Sequence, residues 1–399
     1  MRILISAYAC EPGKGSEPEV GLRAVMTAAE RHDVWVVTRQ NNVAGLGGFL
    51  AEHPLAPRIR VVGYDLGPGH LRLKRMLGRA GTIWYYDRWQ SGVASVAREL
   101  DEEHDFHVVH HITLAAHWGR LGVAEVEKPL VVGPVGGAAT SPLRLIPILG
   151  LGGLVGDVTR RLLRPLVARW TGARAAQRSA AAVLAQNREA MDAIGATDRT
   201  TILPNGLVGA SIGELDEVTR DPGRRFVFAS RLVGWKGPTL AVDALARVPD
   251  TNATLDIYGS GPLSRRLRRR AKRRGLGDRV RIHGIVPRSV VLDALRTGTA
   301  LVHPAIHDDS PLIVAESLAM GTPVVCIDRA GPPVIAAYWP ASMSRVVPAT
   351  WPGATATALS AAMDDISGAA GEVDTTPARR FGDELLAVYE RAVPDQMTS

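Results

Sequence analysis

The chain of 399 residues is poor in cysteine, with only Cys10 and Cys326. They lie far apart, each in or beside an apolar run. Two such thiols exclude a disulfide-stapled secreted scaffold and point to buried, reduced side chains. Long apolar runs are also missing. The longest, over residues 145–156, falls well short of the roughly 20 residues that a bilayer span needs. The N-terminus carries one arginine and then a strand-like run, which is not a signal-peptide pattern. A soluble, cytoplasmic protein is therefore expected. Low-complexity tracts and short repeats are absent. His, Cys, Asp and Glu form no cluster at metal-ligand spacing, so no metal is expected.

What is present is an ordinary globular mix, with 22% charged and 46% apolar residues and length for two or three domains. The formal net charge is +7. A basic balance favours nucleic acid, anionic lipid or phosphorylated substrates. The basic residues cluster. Arg265, Arg266, Arg268, Arg269, Arg270, Lys272, Arg273 and Arg274 form one run, which reads as the solvated face of a helix. In a second group, Arg160, Arg161, Arg164, Arg169 and Arg174 are interleaved with Leu162, Leu163, Leu166, Val167 and Trp170. That spacing gives a helix with apolar and basic faces, which suits peripheral contact with an anionic membrane. A third group, His70, Arg72, Lys74, Arg75 and Arg79, stands close to Trp84, Tyr85 and Tyr86. No nucleic-acid module signature accompanies any of them, so no nucleic-acid partner is expected.

The opening strand-like run, Met1-Arg2-Ile3-Leu4-Ile5, leads into Ala9-Cys10-Glu11-Pro12-Gly13-Lys14-Gly15-Ser16-Glu17-Pro18. This is not the P-loop of a nucleotide triphosphatase. Gly15, not a hydroxyl residue, follows Lys14, and Tyr8 stands where the first glycine belongs. Nor is it a dinucleotide fingerprint, because Pro18 takes the place of the third glycine. What remains is a glycine-rich strand-to-helix turn, which is either a plain loop or a source of free N–H groups for an anion or a sugar hydroxyl.

Strands and helices alternate along the chain. Residues 34–38, 59–62, 108–109, 130–132 and 182–184 read as short, largely apolar strands of a sheet covered on both faces. Turn chemistry at Leu203-Pro204-Asn205-Gly206 and a polar, glycine-rich stretch over residues 213–223 break the pattern. It resumes at Phe226-Val227-Phe228-Ala229 and continues through residues 254–258, 280–282, 300–302 and 323–327. The expectation is two doubly wound α/β domains. Paired domains of this kind take ligands between them, at the carboxyl ends of their strands.

The second half carries the chemistry. Arg231 and Lys236 follow its first strand, and two fixed cations there suit a diphosphate leaving group. Further on stands His307-Asp308-Asp309-Ser310-Pro311-Leu312-Ile313-Val314-Ala315-Glu316. A helix opening near Leu312 offers N–H groups to phosphate. Glu316, in its second turn, can accept from two ribose hydroxyls, and Asp308 or Asp309 from those of a sugar. Taken singly, each residue also reads as ordinary surface charge or helix capping.

With these pieces in place the chain resembles the family 4 retaining glycosyltransferases of GT-B fold. The likeness is carried, in order, by the loop from Ala9 to Pro18, by Leu203-Pro204-Asn205-Gly206, by Arg231 with Lys236, by Tyr258-Gly259-Ser260-Gly261-Pro262, by His283-Gly284-Ile285-Val286-Pro287, and by the acidic stretch running to Glu316-Ser317-Leu318-Ala319-Met320-Gly321-Thr322-Pro323. The resemblance implies two Rossmann-like domains facing a central cleft. The first, over 1–205, would bind the acceptor; the second, over 206–375, the donor. A terminal helix over 376–399 would return to the first. A nucleotide sugar would serve as substrate, with no cofactor and no metal.

By the same resemblance Arg231 and Lys236 grip the donor phosphates and Glu316 takes the ribose. His283, Gly284, Ile285 and Val286 meet the base largely through backbone, with Gly259 alongside. Asp308 stands where the family has its first glutamate and would hold the sugar, with Asp309 as the alternative. The family's Gly-Phe-Gly is replaced here by Asp309-Ser310-Pro311, so Ser310, Leu312 and Ile313 are the candidates for phosphate contact. Gly15 faces the donor or the acceptor. A histidine after a strand of the first domain often lies near the reacting sugar. Here His110 and His111 are adjacent, and either could serve. The expected reaction is transfer to an acceptor hydroxyl with retention. The alternatives are a nucleotide-sugar epimerase of similar architecture and a non-catalytic basic protein that binds membrane surfaces.

Overall fold

The structure is a computed structural model and describes residues 1–14, 16–195, 197–205, 223–366 and 371–393. It divides into two compact units. The first comprises residues 1–138, 163–206 and 380–399; the second comprises 139–162 and 207–379.

The first unit holds a seven-stranded sheet among the described residues. Its strands are β1 (Arg2–Ala7), β2 (Asp33–Arg39), β3 (Ile59–Tyr64), β4 (Val108–Ile112), β5 (Leu130–Val135), β6 (Ala182–Ala185) and β7 (Thr200–Ile202). They lie in the order β3-β2-β1-β4-β5-β6-β7, and every pairing is parallel. Strand β1, inside the sheet between β2 and β4, carries a continuous apolar run, Ile3-Leu4-Ile5, with no exposure at all. A strand covered on both faces requires that composition. Trp35, Tyr85, Trp89, Phe106 and Val109 fill one side of the core.

The second unit holds six strands among the described residues: β8 (Arg225–Ala229), β9 (Thr254–Tyr258), β10 (Val280–Gly284), β11 (Ala300–His303), β12 (Val324–Ile327) and β13 (Ser344–Val347). Their order is β10-β9-β8-β11-β12-β13, again wholly parallel. Its core gathers Phe226, Phe228, Leu240, Leu255, Ile257, Leu295 and Val325 at essentially zero exposure. The doubly wound α/β architecture expected from the sequence is thus present twice.

Residues 139–162 depart from the expectation that the first domain runs unbroken over 1–205. They belong to the second unit, because Leu145 and Leu149 insert into its core. Gly234 makes room for them. A Cβ at that position would stand inside van der Waals contact of the backbone at Ile148 and Leu149. The long helix Ile146–Trp170 breaks at Gly150, whose φ is 71°, in the left-handed region that glycine tolerates.

The final helix, Thr376–Ala392, is counted with the first unit from Arg380 onward. Its Tyr389 is fully buried, and the hydroxyl lies 2.8 Å from Nδ1 of His110. The opposite ring nitrogen, Nε2, lies 2.8 Å from the Gly133 carbonyl oxygen. A carbonyl only accepts, so Nε2 carries the proton and Nδ1 accepts from Tyr389. No helix among the described residues is long and apolar enough to cross a membrane.

This contact generates a stability prediction. Tyr389→Phe leaves Nδ1 of His110 buried without a donor, which costs about 1–3 kcal/mol. Thermal unfolding followed by circular dichroism should show a lowered midpoint. An unchanged midpoint would mean that the terminal helix is not held by this bond.

Candidate functional site

In a parallel sheet every strand delivers its following loop to the same edge. In the second unit that edge collects the loops after β8, β9, β10 and β11. The β8 loop stays zipped to its neighbours beyond the strand's end. Ser230 N donates to Tyr258 O at 3.0 Å, Leu232 N to Ser260 O at 2.9 Å, and Trp235 O accepts from Ile306 N at 2.7 Å. Gly237 closes the turn in the left-handed region, with φ of 71°. A Cβ there would collide with the Pro304 carbonyl. That packing aims Lys236 at the β11 loop.

There the Lys236 ammonium donates to Asp308 Oδ2. His303 Nε2 lies 3.0 Å from the same oxygen. The aspartate is largely buried, which alone would raise its pKa. The Lys236 charge and the His303 hydrogen bond overcome this and hold the carboxyl well below the usual carboxylate range. Next to it the His307 ring stacks on Trp235, with centroids 5.6 Å apart, and its Nε2 is 3.2 Å from Arg160 Nη2. Burial and the Arg160 charge push the His307 pKa down to about 3, so the ring is neutral and accepts from the guanidinium. Arg231 is exposed and lies over the other part of this cluster, 5.9 Å from the Trp235 ring centroid. Among the described residues no carboxylate lies within ion-pair distance of it.

Glu316 sits in the second turn of the helix Leu312–Ala319, whose start has no side-chain cap. Its carboxylate is 3% exposed and accepts from Arg288. Leu312 is one turn earlier on the same face, with Ile313 next to it. Asp309 and Ser310 are half-buried. The Asp309 carbonyl leaves no space for a Cβ on Gly331, whose N–H donates to the Asp308 carbonyl at 2.9 Å.

The β9 and β10 loops meet at Gly259, which donates to the Gly284 carbonyl at 2.7 Å. Gly259 has φ of 126° and no room for a side chain against Ser230 O. His283 lies flat against Tyr258, centroids 4.6 Å apart, and its Nε2 is 2.8 Å from Asp256. Ile285 is 83% exposed, an apolar side chain left uncovered beside a backbone turn, with Val286 half-buried after it.

In the first unit the adjacent histidines of β4 face opposite ways, as strand pleating requires. His110 is committed at both nitrogens to Tyr389 and Gly133 and is thereby part of the framework. His111 faces Tyr86, whose hydroxyl is 3.4 Å from Nε2, and its Nδ1 has no partner. Of the two alternatives, only His111 keeps an unused nitrogen. Lys14 pairs with Glu11 at 3.7 Å. Gly15 lies outside the described residues. The Cys10 and Cys326 thiols are buried, and burial pushes both up to about 12.

Sequence reasoning missed several residues. His303 and Trp235 build the Lys236–Asp308 junction, and Arg288 holds Glu316. A histidine closing an otherwise apolar strand, and an arginine opening a helix after Pro287, were the available signals. At the carboxyl edge of the first sheet, Lys74 and Tyr85 of the third basic group meet Arg39, Asp65 and Tyr8, which sequence reasoning did not connect with them. Arg39, the last residue of β2, pairs with Asp65 at 3.0 Å, and Tyr85 donates to Asp65 at 2.7 Å. Lys74 donates to the Tyr8 hydroxyl at 3.2 Å and lies 4.7 Å from the Tyr85 ring centroid. Burial and the Arg39 charge lower its pKa. Among the described residues it has no carboxylate within ion-pair distance.

Residues 216–343 match the family model described as glycosyl transferases group 1. Among curated relatives, the D-inositol 3-phosphate glycosyltransferase of Jonesia denitrificans is 29% identical over 185 residues, 42% of this chain and 43% of that one. That of Xylanimonas cellulosilytica is 33% identical over 25% of this chain and 24% of that one. The chain thus aligns with less than half the length of these relatives. Among solved structures, Anabaena HepE in complex with UDP has a TM-score of 0.54 at 18% identity, covering 97% of this chain and 100% of that one. The lipopolysaccharide outer core galactosyltransferase WaaB has a TM-score of 0.57 at 16% identity, covering 99% and 96%.

The buried histidines set a pH response. Burial lowers His110 and His117 from 6.5 to about 4, and His111 and His307 to about 3. Between the ordinary value and these, the unfolded chain binds protons that the folded chain does not. Stability therefore rises with pH across that range and is lost as pH falls from 6.5 toward 4. The thermal midpoint should drop over that interval. His111→Gln should show a shallower drop, and an equal slope would remove His111 from the response.

Proposed function

We propose that the chain moves a sugar from a nucleotide-sugar donor to an acceptor hydroxyl, with retention and without a metal ion, a reading that starts from its likeness to the group 1 glycosyl transferases. The observation that carries this reading is that Arg231 and Lys236 follow β8, and Glu316 lies in the helix that follows β11, on the carboxyl-end side of one parallel sheet. Two cations and a buried carboxylate there suit a diphosphate and a ribose. Support for a nucleotide ligand comes from HepE, which is similar in fold and was crystallised with UDP. Among the described residues no three His, Cys, Asp or Glu side chains are grouped to hold a metal. Fixed cations take that role in the proposal.

In this mechanism the donor C1–O bond breaks and its electron pair moves onto the phosphate oxygen. Arg231 and Lys236 stabilise the charge as it grows there. The acceptor oxygen bonds to C1 from the same face, and its proton passes to a donor phosphate oxygen. Glu316 accepts from the ribose hydroxyls once Arg288 releases it. Ile285 and Val286 cover the base, with backbone contact from His283 and Gly284. Amides at Ser310, Leu312 and Ile313 meet the phosphate. Asp308, or Asp309 in its place, takes the sugar hydroxyls. In this proposal His111, with its unused nitrogen, is the histidine of the pair that serves the reacting sugar.

For the acceptor, we infer an anionic group set against Lys74, a cation of the first unit with no carboxylate within ion-pair distance among the described residues. The matched relatives are named for a phosphate-bearing acceptor. Contact with an anionic membrane belongs to this reading as the place where the enzyme works. An epimerase would turn over donor alone. Product that forms only when an acceptor is supplied excludes it.

The first measurement is a thermal-shift panel of nucleotide diphosphates and nucleotide sugars, which identifies the donor. With that donor, chelation by EDTA should leave the rate unchanged. Arg231→Ala removes an exposed side chain, so it should fold normally and bind donor. Its kcat should fall about 100- to 1,000-fold, as for the loss of one electrostatic donor to a transition state. Glu316→Ala should instead lose donor affinity at least as much as turnover, because the ribose is remote from the breaking bond. Near-normal kcat in Arg231→Ala at saturating donor would detach this loop from the leaving group. Lys74→Met should raise the acceptor KM and leave donor binding intact.

A further inference from the structure

Asp308 is held by two partners of unequal mobility. Lys236 reaches it from a loop, on a flexible four-carbon stem. His303 reaches it from a strand. It is the last residue of β11, lies in register with Cys326 of β12 and is 1% exposed. Its Nε2 is 3.0 Å from Asp308 Oδ2. A carboxylate oxygen only accepts, so Nε2 carries the proton. Nδ1 has no hydrogen-bond partner, so the polar edge of the ring serves Asp308 alone. Lys236 and His303 are the two side chains among the described residues that donate to this carboxylate.

In the proposed function, on which this inference rests, Lys236 turns to the donor phosphate and Asp308 takes the sugar hydroxyls. Once Lys236 turns, Asp308 keeps its burial and loses its cation. Burial raises a carboxyl pKa, and a proton on Asp308 would occupy an oxygen that has to accept. The other charged and titratable groups around it do not replace Lys236. His307, next in the loop, stacks on Trp235 and faces Arg160. Its pKa of about 3 leaves it uncharged near neutral pH. Asp157, which also acts on His307, brings negative charge and is paired with Arg160 and Arg161. Arg231 lies over Trp235. The Cys326 thiol is pushed up to about 12 by burial and by Asp328. The helix Gly331–Ala336, whose first N–H donates to the Asp308 carbonyl, has no charged side chain. That leaves the imidazole.

We propose that His303 is a positioning residue of the transfer reaction, a fixed donor that keeps the Asp308 carboxylate ionised and aimed at the donor sugar while Lys236 is engaged with phosphate. The strand fixes the ring and the ring fixes Oδ2, which leaves Oδ1 to the sugar hydroxyls. His303 itself touches neither donor nor acceptor. It acts through Asp308, and it makes Lys236 free to leave.

The test on the full chain has two parts, and the first needs neither donor nor transfer. K236M/H303Q and K236M/H303L both lack the ammonium and the imidazole, so titration of His303 drops out of the comparison. Only the first keeps an N–H for Asp308. In K236M/H303L the buried carboxyl has no partner, and its folded pKa rises above the unfolded value of about 4. Stability from such a group is present at lower pH and is lost as pH rises through the raised value. The thermal midpoint of K236M/H303L should therefore fall relative to that of K236M/H303Q between about pH 4 and pH 7. Parallel midpoints overturn the proposal. The second part reads transfer. In His303→Leu the acid limb of the kcat profile should move to higher pH. At about pH 6 its kcat should be down roughly ten- to a hundredfold, as for the loss of a hydrogen bond to a charged group, and should recover as pH rises. His303→Gln should follow the wild type. A merely structural role would lower kcat alike at every pH. An unshifted limb in His303→Leu, or an equal shift in His303→Gln, overturns the proposal. A wild-type chain that moves no sugar from any donor overturns the reading beneath it, and the first part separates that failure from a His303 that does not hold Asp308.

Discussion

Parallel pairing is the constraint from which the rest of this structure follows. In each unit, all strand pairs run the same way, so each strand must be followed by a crossover before the next. Every loop that leaves a strand's carboxyl end then emerges along one edge. The consequence is economical in sequence terms. Arg231, Gly259, Gly284 and Asp308 are separated by up to 77 positions along the chain, yet each lies at or just beyond the end of β8, β9, β10 or β11. The sheet supplies their nearness. The local residues only fix orientation, as Gly237 does by taking a conformation in which no side chain would fit under Pro304.

That edge is tightened by charge. Lys236 and His303 converge on Asp308, and a buried carboxylate with two such partners stays ionised. The junction locks the β8 loop to the β11 loop beneath Trp235, and so presents Arg231 from a rigid base. A pair of this kind adds little net stability, because two charges lose their water, but losing one partner is costly. Its effect is geometric. It fixes where a cation stands, which is what a leaving group with growing charge requires.

Much of this was legible from the residues. The apolar runs that became β1, β4, β8 and β11 announced a covered parallel sheet, because they lack the alternation of a strand with a wet face. Arg231 and Lys236 after one strand, and Glu316 in the second turn of a helix, were also visible as types at positions. The partners were not. Nothing in local sequence says that Lys236 meets Asp308 or that Arg288 reaches Glu316, since those pairs are made by the crossover of the sheet. The same limit explains residues 139–162. Their apolar character was plain, but which core they join is decided by Gly234 and the space it leaves for Leu149. His110 and His111 show the opposite case. Strand pleating separates their roles at once, although only the tertiary fold brings Tyr389 to one and Tyr86 to the other.

The two acidic groups of the second unit lead to the last step. Without ligand, Asp308 is held by Lys236 and His303, and Glu316 by Arg288. Each functional carboxylate is thus already satisfied by a cation. Under the proposed function, a nucleotide sugar entering here would exchange partners instead of filling vacant charges. Lys236 can turn toward phosphate only as Asp308 keeps His303 or gains a sugar hydroxyl, and Glu316 can take ribose only as the exposed Arg288 swings into water. At Lys236 such an exchange contributes little to ground-state affinity, because what is gained is offset by what is released, whereas at Glu316 the released Arg288 is exposed and regains water, so the ribose contact keeps its worth. The gain comes where no partner existed before. Arg231 has no carboxylate among the described residues, and charge on the phosphate oxygen is greatest as the glycosidic bond breaks. A site that works as proposed would therefore favour the transition state over the bound donor, which is the condition for turning binding contacts into rate.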